Sequence, residues 1–261
     1  MEPVSIEFLS EGECVRGRLY AASNEEPFTL LFVPGWPASQ EDFLGLGPLL
    51  SHQGVNMVEF SPRGLPPSDG TYSHSNALHD IRSALQWLNQ TDVQNQYNVD
   101  AARLVLCGYS NGGGLAMAYT AQDSSIRRVI SIAGNDFGEF AREFKQKTTR
   151  FEAIYAWVLS TKAPDGPARF NPVTDLQELV DHPEIFGLRE NAGRLADRSI
   201  LLFGGWEDQG PTIEQYQLPL YRALRAAGAE KVTFIVYHTD HSFSNVRQRL
   251  TADIAEWIMP D

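Results

Sequence analysis

The chain opens with alternating apolar and polar positions and then changes to short, continuous apolar runs. The period of two in "VSIEFLS" and "ECVRGRLYA" predicts strands with one buried face. The continuous runs predict strands buried on both faces, and they are "FTLLFVPG", "VNMVEFSPRG", "ARLVLCG", "IRRVISIAG", "RSILLFGG" and "KVTFIVYH". The pattern therefore predicts eight strands.

Helical periodicity separates these runs. The segment "HSNALHDIRSALQWLNQ" places Ala77, Ile81, Leu85 and Leu88 on one helical face. Further helices are predicted over "SQEDFLGLGPLLSHQG", "GGLAMAYTAQD", "TIEQYQLPLYRALRAAG" (interrupted by Pro219) and "SNVRQRLTADIAEWI". Because strands and helices alternate from residue 28 onward, we predict an α/β fold with a mostly parallel central sheet flanked by helices.

Residues 137–198 break this alternation, since they show helical pieces but no strand pattern. A connection of about sixty residues is far longer than strand-to-strand links normally are. We therefore predict a short helical cap at 137–198, inserted between two sheet strands of a core formed by 1–136 and 199–261. The cap is rich in aromatic residues, most of which we expect to pack it onto the core. Phe140, Tyr155 and Trp157 are candidates for lining a pocket beneath it.

Composition narrows the range of partners. The chain has 261 residues, 43% of them hydrophobic, and a net charge of -12, which disfavours nucleic acids and anionic membrane surfaces as partners. No N-terminal apolar signal and no run as long as a membrane span is visible. Two isolated cysteines, Cys14 and Cys107, are typical of reduced thiols. We therefore expect a cytoplasmic protein.

A serine stands between glycines at the end of the fifth predicted strand. Residues 108–112 read Gly-Tyr-Ser-Asn-Gly, with an apolar strand before them and a helix after them. In that context G-x-S-x-G is typical of a tight turn that presents a nucleophile. The turn places Ser110 near a helix N-terminus, which favours developing negative charge.

A serine nucleophile needs a base, and the base needs an orienting acid. Asp208, with Glu207 as its rival, directly follows the strand "RSILLFGG", and His241 follows the last strand. This is the chain order Ser, Asp, His that the strand arrangement requires. We expect the other histidines to be surface or structural residues: His52, His74, His79, His182 and His238.

Three segments, "GYSNGG", "GGWED" and "TDHSF", resemble the α/β-hydrolase family, specifically serine hydrolases of the esterase and small-peptidase kind. The resemblance extends from Phe28 to the C-terminus. It implies Ser110 as nucleophile, Asp208 as acid and His241 as base of a catalytic triad.

The same resemblance implies an oxyanion hole. "LLFVPGWPAS" is similar to the family's oxyanion loop, with Pro34 where the family often has histidine. Backbone N–H groups of Trp36 and Asn111 are then the two donors. We also expect the side chains of Trp36 and Tyr109 in the pocket. "FSPRGLPPSDG" resembles a further family segment, in which we expect Arg63 to have a structural role.

The leading hypothesis is a serine hydrolase that cleaves a small to medium carboxylic ester through an acyl-enzyme. An amidase or peptidase, a carbon–carbon bond hydrolase and a non-catalytic ligand-binding protein of the same fold stay open as alternatives. The glycines lack the lysine of a phosphate loop, and no H-E-x-x-H motif occurs. We therefore expect no metal and no cofactor, only an acyl ester and water as partners. The oligomeric state stays open.

Overall fold

One eight-stranded sheet organises residues 2–259, which the computed structural model describes. The spatial order is β1-β2-β4-β3-β5-β6-β7-β8. β1 and β2 pair antiparallel, as do β2 and β4, and all other neighbours are parallel. The eight predicted strands are confirmed, with the bounds β1 Val4–Ser10, β2 Glu13–Tyr20, β3 Phe28–Val33, β4 Val55–Ser61, β5 Leu104–Tyr109, β6 Arg128–Ile132, β7 Ser199–Gly205 and β8 Val232–Tyr237.

Ten α-helices lie within the described residues. They are α1 Leu46–His52, α2 His74–Leu88, α3 Thr91–Tyr97, α4 Asn111–Gln122, α5 Phe137–Gln146, α6 Thr149–Ser160, α7 Pro172–Asp181, α8 Pro183–Phe186, α9 Leu218–Ala226 and α10 Arg247–Ile258. Within this part of the chain, no helix has the length and apolar character needed to cross a membrane. Cys14 and Cys107 are both free thiols.

Two of the predicted helices differ from the structure. The helix expected over residues 39–54 is split, because Leu44 and Gly45 adopt left-handed backbone conformations (φ 54° and 63°) between a short 3₁₀ turn and α1. The helix expected over 212–228 opens with a π-helical turn, Ile213–Gln217, that runs into α9. Pro219 lies in the first turn of α9, where its missing N–H costs little. It therefore lies where the π-helical turn passes into α9, and the helical segment continues through it.

Both faces of the sheet are covered. Leu31 and Val33 point into a hydrophobic cluster that includes side chains of α2, α4 and α9. Leu30 and Phe32, the alternate residues of β3, point into a second cluster that includes side chains of α1 and α10. All four are fully buried. This two-sided burial explains why the parallel strands read as continuous apolar runs.

Residues 137–198, here named the helical insertion, lie between β6 and β7 and contain α5 to α8. Two isolated bridges, Tyr72 with Phe170 and Lys162 with Ala168, are their only β-pairing among the described residues. The insertion contacts the core through α2, α4 and α9. The division into a cap domain and a core stays a prediction, whereas the position of these helices between two sheet strands is observed.

Candidate active site

Ser110 occupies a sharp turn between the end of β5 and the start of α4. Its backbone angles, φ 53° and ψ -117°, lie in a region that non-glycine residues rarely adopt. The Ser110 N–H donates to the carbonyl of Ile132 at 2.8 Å, and the Ser110 carbonyl accepts from the N–H of Asn135 at 3.1 Å. Backbone hydrogen bonds to the neighbouring strand end therefore hold the strained residue in place.

Two glycines allow the close packing that this turn needs. A Cβ added to Gly108 would lie 2.1 Å from the carbonyl oxygen of Gly112. A Cβ added to Gly112 would lie 2.1 Å from the carbonyl oxygen of Val33 and 2.4 Å from that of Pro34. The first turn of α4 therefore packs directly against the loop that follows β3.

Ser110, His241 and Asp208 form one continuous chain of hydrogen bonds. The Nε2 atom of His241 lies 3.0 Å from the Ser110 Oγ, and its Nδ1 lies 2.7 Å from the Asp208 Oδ2. The second Asp208 oxygen accepts the N–H of Gly210 at 2.7 Å, and the carboxylate is almost completely buried. A carboxylate fixed in this way holds the proton on Nδ1 and leaves Nε2 to accept the serine proton.

Glu207, the alternative candidate for the acid, does not contact His241 but lies beside His238. The carboxylate of Glu207 is half-exposed and lies 3.5 Å from the exposed imidazole of His238. Of the other histidines, His52 and His182 are exposed and His79 is partly exposed. The structure therefore brings Asp208, and not Glu207, to His241.

Tyr109, the last residue of β5, contacts His241. Its hydroxyl donates to the carbonyl of His241 at 3.1 Å, and the two ring centroids lie 5.0 Å apart. Burial, followed by the charges of Asp42 and Asp208, raises the pKa of this phenol. Tyr109 therefore stays neutral and can donate the hydrogen bond that fixes the His241 backbone.

The loop after β3 places Trp36 beside the turn. The Trp36 N–H makes no hydrogen bond to another described group, and Asn111 is the first residue of α4, whose N–H has no partner within the helix. The Trp36 indole donates to the Thr161 hydroxyl of the insertion at 2.9 Å. Its ring packs edge-on against Tyr72 and Phe170, with centroids 4.8 and 5.0 Å away. The assignment of the backbone N–H groups of Trp36 and Asn111 as oxyanion donors stays a prediction.

A cavity of about 370 Å³ opens onto Ser110 and His241. The sequence-predicted pocket residues all line it: Trp36, Tyr109, Phe140, Tyr155 and Trp157. Further apolar walls come mostly from the helical insertion, namely Phe137, Ile154, Val158, Phe170 and Leu176. Trp157 is about half-exposed (51%). The cavity therefore has a mainly apolar surface, with the hydrogen-bonded serine in its wall.

His74, predicted as a surface or structural residue, also lines this cavity. It is buried, and its Nδ1 lies 2.8 Å from the Asp175 carboxylate. Burial alone lowers the pKa of His74, but Asp175, with Glu178 and the Asn111 side chain, outweighs burial and raises it. A sequence signal existed: His74 begins the helix after β4, and such helix starts lie at the carboxyl edge of a parallel sheet.

Arg150 connects the insertion to the loop that carries Asp208. Its guanidinium donates to the buried Glu143 carboxylate (2.9 and 2.5 Å), to the Tyr216 hydroxyl (2.5 Å) and to the carbonyl of Gly210. The N–H of Gly210 in turn donates to Asp208. By contrast, Arg63 is buried against Asp80 and lies outside the cavity lining.

One group of possible metal ligands occurs in the described part of the chain. Ligand atoms of His74, Asp175 and Glu178 lie within 4.8 Å of one another. The Asp175 carboxylate already accepts both the N–H and the Nδ1–H of His74, and Glu178 accepts the N–H of Ser75 at 3.2 Å. We therefore interpret the group as two acids from α7 that cap the start of α2.

The chain was compared with known protein families. Residues 29–253 match the family described as alpha/beta hydrolase fold. The chain belongs to the α/β-hydrolase family. The fold predicted for this family, a mostly parallel sheet between helices, is therefore confirmed. No curated protein matches the chain.

Solved structures of two esterases and of a peptidase superpose over most of the chain. An esterase of Pyrococcus furiosus has a TM-score of 0.71 at 15% identity, covering 98% of this chain and 90% of its own. The esterase domain of a Rhodothermus marinus protein has 0.68 at 20%, covering 99% and 100%. An acylaminoacyl peptidase of Pyrococcus horikoshii has 0.66 at 18%, covering 95% of this chain and 39% of its own. At these identities the similarity shows the shared fold.

Proposed function

We propose that this α/β-hydrolase is a serine esterase that cleaves small to medium carboxylic esters. The observation that carries the proposal is the hydrogen-bond chain from Asp208 through His241 to Ser110, whose serine end lies in the wall of a mainly apolar cavity. Serine becomes nucleophilic when a neighbouring base removes its proton, and this arrangement provides that base together with its orienting acid.

The reaction runs in two acyl-transfer steps. Ser110 Oγ attacks the ester carbonyl while His241 Nε2 takes the serine proton. The N–H groups of Trp36 and Asn111 stabilise the oxyanion that forms. His241 then gives its proton to the leaving alcohol, and the acyl group stays on Ser110. Water then attacks this acyl-enzyme while His241 takes its proton. The bond between the acyl carbon and Ser110 Oγ breaks, the carboxylic acid leaves, and His241 returns the proton to Ser110 Oγ.

The cavity favours substrates with an apolar body. Eight of its wall residues are Phe, Tyr or Trp and three are Ile, Val or Leu, and its volume of about 370 Å³ falls at the lower end of ligand pockets. An amide bond is the second candidate, since the same triad cleaves amides and one of the superposing proteins is an acylaminoacyl peptidase. A ligand-binding protein without turnover is the alternative from another class.

Hydrolysis of p-nitrophenyl acetate and butyrate tests the proposal, with butyryl p-nitroanilide as the amide. We expect Ser110→Ala to lose about 10⁴-fold or more in kcat/KM for the esters. The exposed Ser124, which lies outside the cavity lining, gives the control Ser124→Ala with wild-type rates. Equal rates in wild type and Ser110→Ala would overturn the proposal. Faster anilide than ester cleavage would move the assignment to an amidase.

A further inference from the structure

We propose that His74 determines specificity by binding a hydroxyl group of an otherwise apolar, uncharged substrate. This inference rests on the proposed ester hydrolysis and adds the substrate class. His74 lines the same cavity as Ser110 and His241. It also lies beside the side chain of Asn111, the residue next to the nucleophile. A substrate that reacts at Ser110 and fills the cavity therefore reaches His74.

The His74 ring is held in one orientation. Its Nδ1 is bonded to the Asp175 carboxylate at 2.8 Å, and the backbone N–H of His74 donates to the same oxygen at 3.2 Å. Phe137 and Tyr72 pack edge-on against the ring, with centroids 4.8 and 5.5 Å away. Since Asp175 occupies Nδ1, Nε2 is the ring nitrogen that remains for the Asn111 side chain and for a ligand in the cavity. A group fixed by packing and hydrogen bonds binds its ligand without losing further conformational freedom.

Charges around the cavity exclude an anionic group as the ligand. The carboxylates of Glu41, Asp42 and Asp175 line the cavity. The guanidinium of Arg150 lines it as well, but it is already bonded to the carboxylate of Glu143. The imidazoles of His74 and His241 are likewise paired, with Asp175 and Asp208 respectively. A substrate carboxylate would therefore meet like charges and no cationic group that lacks a carboxylate partner.

A hydroxyl group matches the imidazole in both of its protonation states. It accepts a hydrogen bond from the protonated ring and donates one to the neutral ring. The surrounding walls are aromatic and aliphatic, so an aliphatic or aromatic body fills the rest of the cavity. Where a site offers a buried polar group, a substrate that lacks the matching hydroxyl leaves that group unpaired and is rejected.

Three matched esters test the inference: p-nitrophenyl hexanoate, its terminally hydroxylated counterpart, and the adipate monoester, which carries a carboxylate at the same end. We expect the wild type to prefer the hydroxylated ester over the plain one by about tenfold in kcat/KM, with the adipate ester slowest. His74→Phe keeps a ring and removes both nitrogens, so the preference should disappear. His74→Gln keeps a hydrogen-bonding group and should retain part of it.

His79, on the same helix but outside the cavity lining, gives the control His79→Phe, which should keep the wild-type preference. Wild type that shows no hydroxyl preference, adipate as the best substrate, or a preference retained in His74→Phe would overturn the inference.

A binding measurement separates this inference from the proposed hydrolysis. Calorimetry on Ser110→Ala, which needs no turnover, compares hexanol with hexanediol and should find the diol bound more tightly. If esters are not hydrolysed but the diol is preferred, the esterase proposal fails and the His74 site stands. If the diol is not preferred, the His74 site fails whatever the rates are.

Discussion

The nucleophile turn, residues 108–112, and the helical insertion, residues 137–198, face the same cavity but are built in different ways. Backbone conformation and backbone packing determine the turn. Ser110 has a strained φ of 53°, and neither Gly108 nor Gly112 has room for a Cβ. The insertion is fixed by side chains from distant parts of the chain. Arg150 reaches Gly210 and Tyr216, and Asp175 reaches His74.

This difference shows which parts of a site can be found in a sequence. A backbone turn that tolerates only glycine leaves a short, local motif. A network of ion pairs between helices leaves only scattered charged residues, each of which resembles an ordinary surface charge. Substitutions in the two regions should therefore have different effects. Those in the turn should disturb backbone packing and catalysis, and those in the insertion should remove ion pairs and hydrogen bonds.

The largest loss of activity is expected from substitution of Asp208, the acid that orients His241. Asp208→Asn keeps the shape but removes the charge that stabilises protonated His241, so kcat should fall by about 10³- to 10⁴-fold. Glu207→Gln, one residue earlier and half-exposed, is the matched control and should stay within about twofold. Ester hydrolysis measures both. A larger loss in Glu207→Gln would move the acid by one residue.

The next effect concerns backbone packing in the turn. Gly112→Ala would place a Cβ against two carbonyl oxygens, so we expect a loss of about 3 kcal/mol in the free energy of unfolding. The displaced loop after β3 should also lower ester hydrolysis strongly. Gly193→Ala is the control, because an added Cβ there meets nothing within 4 Å. Urea unfolding measures the pair, and equal stabilities would contradict the packing account.

A smaller effect is expected in the insertion. Arg150→Met leaves the buried Glu143 carboxylate without its guanidinium, which should cost about 2 kcal/mol. Arg142→Met on α5 removes more exposed ion pairs and should cost under about 1 kcal/mol. Because Arg150 also holds Gly210, its loss should lower kcat while Arg142→Met leaves it unchanged. Indistinguishable variants in urea unfolding and ester hydrolysis would remove Arg150 from the account.

The smallest effect is a pH dependence of stability from His74. Its pKa is raised in the folded chain, so protonation stabilises the fold. That contribution is fully present below the ordinary histidine pKa of about 6.5 and is lost as pH rises through the raised value. Urea midpoints at about pH 6 and 9 should therefore differ more in wild type than in His74→Phe. The same difference in both proteins would show that Asp175 does not favour the protonated ring.

Most of the fold follows from hydrophobic patterning. Leu30 to Val33 predict a strand buried on both faces, and the structure places alternate residues in two separate cores. The order of Ser110, Asp208 and His241 predicts which strand ends meet, because parallel strands bring their carboxyl ends to one edge. The split at Leu44 and Gly45 and the π-helical turn before α9 leave no periodic signal, since single backbone conformations decide them.

The cavity wall is predicted only in part. Aromatic residues of the insertion point to a pocket, since an apolar helix face must be covered. The sequence around His74 and Arg150 does not point to the pocket, because their roles depend on Asp175 and Gly210, which lie 101 and 60 residues away along the chain respectively. These partners meet only when the insertion packs onto α2 and the acid loop.

Covalent labelling with a fluorophosphonate probe, followed by mass spectrometry of the modified peptide, tests the central claim most directly. The probe reacts with a serine that a neighbouring base activates. We expect wild type to carry the label on Ser110, and His241→Ala to label at least about 10³-fold more slowly. Label on another serine, or equal rates in wild type and His241→Ala, would contradict the account.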